Sequence, residues 1–217
     1  ELTSSQETLM HCPSSLLRLA LALALVGLAN PTRADELAEK GRNIFKQHQQ
    51  AVVTVQVVLK ISYSGASKSS ENRQELTGTV VDPSGLTVLA LSACDPSEMY
   101  QRMMADQGSQ NKLETEVTDI RILLTDGTEL PAEIVLRDKD LDLAFIRPKT
   151  RPANPMAAVD LAKTSPAQVL DQVITLNRLN SAAGRAYAAS VERITAVLQK
   201  PRTFYIPDSN MTSTTLG

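Results

Sequence analysis

From Ala51 to Arg147 the chain reads as six short runs rich in Val, Ile and Leu, each closed by a turn. No other feature constrains the fold so tightly. The runs are Ala51–Tyr63, Leu76–Val81, Leu86–Ala93, Glu116–Leu124, Glu129–Leu136 and Leu141–Arg147. β-Branched residues in short, partly alternating runs favour strands. Between them, Ser64 to Asn72 is a polar loop of small residues. Asp82-Pro83-Ser84-Gly85 is a turn with Pro at its second place and Gly at its fourth, and Asp126-Gly127 is a hairpin signal. Six strands punctuated in this way predict an all-β, mostly antiparallel fold built on a small closed barrel.

The flanks of this region have different rhythms. Residues 35–50 place Leu37, Ile44 and Phe45 at helical spacing, with acids early and Lys46 late, predicting a short amphipathic helix. Asp95-Pro96-Ser97-Glu98 opens a second helix, with Asp as cap and Glu in the first turn. A polar loop around Gln107–Asn111 follows. Thr150 to Pro155 is Pro-rich and reads as a linker. Beyond it, Gln172–Leu179, Ala186–Leu198 and Phe204–Ile206 are strand-like, and Ser209–Gly217 is polar. The expected organisation is a first barrel over 51–149 and an incomplete second barrel over 156–217.

Residues 1–34 read as an address rather than as part of the fold. Met10 to Ala34 has the parts of a secretory signal peptide: Arg18, an apolar run from Leu19 to Ala29, and small residues Thr32 and Ala34 before the expected cleavage site. A retained single-pass anchor is the alternative, but the apolar run is about half the roughly 20 residues a span needs. The mature protein is expected in the periplasm or outside the cell, away from the membrane. Residues 1–9 lie upstream of a plausible initiator, Met10.

Composition removes several function classes. A net charge of −2 with interspersed signs supplies no basic face for nucleic acid, and three Phe, four Tyr and no Trp supply few stacking platforms. Cys12 lies in the address segment, leaving Cys94 as a small apolar core residue or, on the sharper reading, a reactive thiol. Two distant histidines and one cysteine do not make a metal-ligand set. Asp138, Asp140 and Asp142 alternate like the opening of a calcium loop, but that loop's Gly and distal Glu are missing, so they read as surface carboxylates. No cofactor is implied.

Three segments resemble the first barrel of the Deg/HtrA group of trypsin-like serine proteases. Thr77 to Gly85 (TGTVVDPSG) is similar to that family's GSGVIIDPDG. Asp126 to Val135 (DGTELPAEIV) is similar to DGREFPAKVV, and Arg137 to Ala144 (RDKDLDLA) to RDPxTDLAL. Order and spacing agree over roughly residues 50 to 149. The resemblance implies two barrels with a Ser-His-Asp site between them, in which serine attacks, imidazole takes the proton and Asp orients the imidazole. Asp142 falls on the family's Asp position; an exposed turn Asp is the alternative. Seven residues after Gly85, where the family has its His, stands Ser92, which is not expected to function because a hydroxyl is no base near neutral pH. His11 belongs to the address segment and His48 to the expected helix, where it should face solvent. The family's GNSGGP nucleophile motif is not matched; neither Ser209 nor Ser213 has flanking glycines.

Three functions stay open on these residues. The first is an exported pseudoprotease acting by peptide or protein binding. The second is a fragment of an active endopeptidase whose Ser and His lie outside this chain. The third is an unrelated exported β-barrel that shares the motifs by chance. No oligomeric state follows from the residues.

Overall fold

The computed structural model describes residues 33–63, 69–106, 113–200 and 202–208. Most of the expected address segment, the tip of the 64–72 loop, the 107–111 loop and the 209–217 tail therefore lie outside the described residues. The chain divides into two compact units, residues 1–40 and 41–217. In the first, the described part is the opening of helix α1 (Arg33–His48), where Lys40 and Glu36 pair at 2.8 Å one turn apart.

The second unit carries the fold. After the close of α1 and a 3₁₀ turn (Gln49–Ala51), six strands form a closed antiparallel barrel: β1 (Val52–Tyr63), β2 (Ser69–Val80), β3 (Thr87–Ala90), β4 (Leu113–Leu123), β5 (Glu129–Asp138) and β6 (Leu143–Pro148). Their order around the barrel is β1-β2-β3-β6-β5-β4. The alternation read in β1 has a physical counterpart. Val53, Val55, Val57 and Leu59 point into the core with Leu76, Val80, Leu89, Ile120, Ile122 and Ile146. Fully burying one such side chain stabilises by about 1.5–3 kcal/mol. The two turns are built as expected. The Ser84 amide donates to the Asp82 carboxylate at 2.8 Å and Gly85 takes φ +94°; the Thr128 amide donates to Asp126 at 2.9 Å and Gly127 takes φ +85°.

Four expectations need correction. β2 begins at Ser69, inside the segment read as loop, because β1 continues outward and pairs residue for residue back to Ser62↔Ser69, so the ribbon needs a partner more than it needs apolar side chains. The run Leu86–Ala93 is strand only to Ala90; Leu91–Cys94 turns into a short helix, α2, since a short apolar run does not by itself distinguish strand from helix. β6 begins at Leu143 rather than Leu141, because the chain turns at Asp142 with φ +56°. The residues just after the Pro-rich linker, expected to open the second barrel, instead form a strap on the first: Met156 donates its amide to Pro83 O at 3.0 Å and Val159 to Val80 O at 2.8 Å, and Met156 and Ala158 pack on the barrel core. Helix α3 (Ser97–Asp106) follows α2, and Asp95 accepts from the Ser97 hydroxyl at 2.7 Å at its start.

A second, three-stranded antiparallel sheet follows in the order β7 (Gln172–Arg178), β8 (Tyr187–Leu198), β9 (Phe204–Pro207). Side chains tie it to the outer face of β2: Thr77 donates to Asn177 Oδ1 at 2.5 Å, and Glu75 meets Arg185 and the Ser181 amide. From the other side, the later part of α1 lies on this sheet. Phe45 packs edge-on to Tyr187 with ring centroids 6.4 Å apart, and a Cβ added to Gly41 would meet Ile174 Cδ1 at 3.3 Å. Among the described residues, no helix is long and apolar enough to cross a membrane.

Candidate functional site

The two positions that the sequence aligned with a protease triad, fifty residues apart, meet at one end of the barrel. Asp142 sits in the turn before β6, and Ser92 sits in α2, directly after β3, the neighbour of β6. The Asp142 carboxylate accepts from the Ser92 amide through Oδ1 at 2.7 Å and from the Ser92 hydroxyl through Oδ2 at 2.7 Å. Its backbone carbonyl accepts from the Leu91 amide at 2.9 Å.

These three bonds have one physical logic. A helix leaves its first amides without partners, and the residue before α2, Ala90, has no side chain to cap them. Asp142 supplies acceptors for the Leu91 and Ser92 amides from just before the start of the adjacent strand. This is a third role for Asp142, beside triad member and exposed turn residue, and sequence proximity could not have suggested it. Its positive φ agrees with a residue held for its contacts, since Asp tolerates the left-handed region better than most side chains.

Around the pair opens a cavity of about 420 Å³, lined among others by Met99, Arg137 and Lys139. Arg137 pairs with Asp95 at 3.4 Å, and Lys139 pairs with Glu98. The lining contains no histidine. His48 is exposed in the last turn of α1. Ser92 Oγ thus faces a carboxylate with no imidazole between them, and a carboxylate is far too weak a base to ionise a serine hydroxyl. The arrangement can bind and orient polar groups; it does not hold a nucleophile–base pair.

No protein-family model matches the chain, and no curated protein matches it.

Cys94, two residues beyond Ser92, is fully buried in the barrel core. Burial pushes its thiol up to about 12; the Asp95 charge adds to this and Arg137 partly offsets it. The core reading of Cys94 holds and the reactive one does not, because the thiolate is the reactive form. Among the described residues no cluster of three His, Cys, Asp or Glu side chains could hold a metal ion. Asp138 instead accepts from the Leu141 amide at 3.0 Å. Sequence reading assigns Arg137 and Lys139 no role of their own; their signal is the alternation of basic and acidic residues over 137–140.

Proposed function

We propose that this chain is a non-catalytic trypsin-like domain of the Deg/HtrA type, exported from the cytoplasm, that binds peptides or partner proteins. The observation that carries the reading is the Ser92–Asp142 pair. Both oxygens of the carboxylate are engaged by Ser92, at the place where an active family member would hold its imidazole. The six-stranded barrel is consistent with a trypsin-like fold. A histidine arriving from elsewhere would have to displace Ser92 from both contacts, which argues against a fragment of an active enzyme.

Binding in place of cleavage has a physical route. The closed barrel has no free strand edge, whereas β7 and β9 each pair only with β8 among the described residues. An extended peptide adding to such an edge satisfies backbone groups on both partners.

The test pairs two measurements on the purified chain. Unfolded casein incubated with it is expected to yield no new peptide termini by mass spectrometry, while an array of extended peptides retains the chain reproducibly. Cleavage that disappears in Asp142→Ala would overturn the non-catalytic reading, and a blank array would overturn the binding one.

A further inference from the structure

A second cavity, of about 340 Å³, shares no lining residue with the one at Ser92 and Asp142. Arg178, the last residue of β7, stands opposite Tyr187, the first of β8, and its guanidinium lies over the Tyr187 ring at 4.1 Å from the centroid. The ring is itself held edge-on by Phe45. Arg178 Nε is buried and has no acceptor, and among the described residues neither a carboxylate nor a carbonyl pairs with this guanidinium. Of the five N–H donors in the guanidinium fork, the Nε–H is desolvated with no acceptor, which is costly. The guanidinium is thus fixed over an aromatic face, lines the cavity, and has a buried N–H able to donate to an acceptor there.

We infer that this cavity is a carboxylate-binding site, with Arg178 as the anchor and Tyr187 as the platform that fixes the fork. The lining sets the class of ligand. Val53, Leu130 and Met156 supply an apolar wall, and the volume is at the small end of ligand sites, with room for a residue or two of peptide. Asp126 is the one acidic residue of the lining, and its carboxylate engages the Thr128 amide. One cation facing one acid suits a monoanion better than a phosphate dianion. The ligand is a carboxylate on a short apolar body, supplied by a peptide C-terminus or by an acidic side chain. This inference does not depend on the protease likeness.

The whole chain is titrated calorimetrically at low salt with three probes: N-acetylated Ala-Val-Leu with a free C-terminus, the same peptide amidated, and an amidated peptide with an internal Asp. The acid is expected to bind and the amide not to. Arg178→Gln should weaken the acid by about tenfold to a hundredfold, the worth of hydrogen bonds to a charged group. Arg178→Lys should fall between, and Arg147→Gln, a charge-matched change on the exposed barrel surface outside this lining, should leave the affinity unchanged. Preference for the internal Asp would support the site and identify the side chain as the source. Equal binding of all three probes, no binding at millimolar concentration, or full affinity in Arg178→Gln would overturn the inference. If Arg178→Gln does not fold, the acid-against-amide comparison on the unaltered chain decides.

Discussion

Replacing Asp142 by Asn, Gly and Ala separates the two physical jobs of this residue. The carboxylate accepts two part-buried bonds, from the Ser92 amide and hydroxyl, both at 2.7 Å. A hydrogen bond to a charged group stabilises by about 1.5–3 kcal/mol, so the pair contributes about 3 kcal/mol at the lower end of that range. The backbone is at φ +56°, where an ordinary L-residue such as Ala carries a strain of about 1 kcal/mol that Gly does not. Asn keeps an oxygen for the Ser92 amide and tolerates the left-handed region, so Asp142→Asn should cost about 1 kcal/mol, the difference between charged and neutral acceptors. Asp142→Gly should cost about 3 kcal/mol and Asp142→Ala about 4 kcal/mol. Read by urea unfolding with a slope near 2 kcal/mol per molar, the midpoint should fall by roughly 0.5, 1.5 and 2 M in that order. Asn falling as far as Ala would refute the capping account of the carboxylate. Coincident Gly and Ala midpoints would refute the strain.

Two further outcomes follow from the barrel interior. A Cβ at Gly78 would lie 2.7 Å from Thr87 Cγ2 and 2.9 Å from Val55 Cγ2, both on fully buried residues that have nowhere to swing, so Gly78→Ala should cost about 1–3 kcal/mol. A drop of about 5 °C in Tm is expected, and an unchanged Tm would sink the packing argument. With its thiol pushed up to about 12, Cys94 is thiolate in roughly one native molecule in ten thousand at pH 8, so Ellman's reagent should label it only as the chain unfolds. Fast native labelling of Cys94, read in a Cys12→Ser chain, would contradict its burial. The folded state holds this proton more tightly than the unfolded one, so the Cys94 contribution is intact below its ordinary 9.0 and is lost as pH rises from there toward about 12.

What could be read in advance was local. The Asp-Gly hairpin, the DPSG turn and the valine alternation of β1 each depend on neighbours within a few residues, and each fixed its element before any partner was known. Ser92 and Asp142 could be paired on motif spacing, but not the reason they meet, since the capping of α2 joins residues fifty positions apart. The outer half of β2 was illegible because its side chains are polar and exposed; only the register with β1 makes it a strand. Arg178 and Tyr187 are unremarkable in sequence, and their stacking exists only because β7 and β8 put them in register. The strap, Met156 to Val159, reads in sequence as the opening of the second barrel because its small apolar residues do not show which of two neighbouring units they pack on.

That strap has a further consequence for how the barrel withstands fluctuation. β2 and β3 share just two register pairs, Thr79↔Val88 and Val80↔Thr87, against the eleven that join β1 to β2. A closed cylinder breathes where its staves are least nailed, and here that is the joint between β2 and β3. The amides of Met156 and Val159 bind across the neighbouring turn and the end of β2, so a segment more than sixty residues downstream acts as the hoop at that joint. Opening that joint on the β2 side therefore also means breaking the two strap hydrogen bonds, at Pro83 and Val80, so a local fluctuation is coupled to a segment distant in sequence.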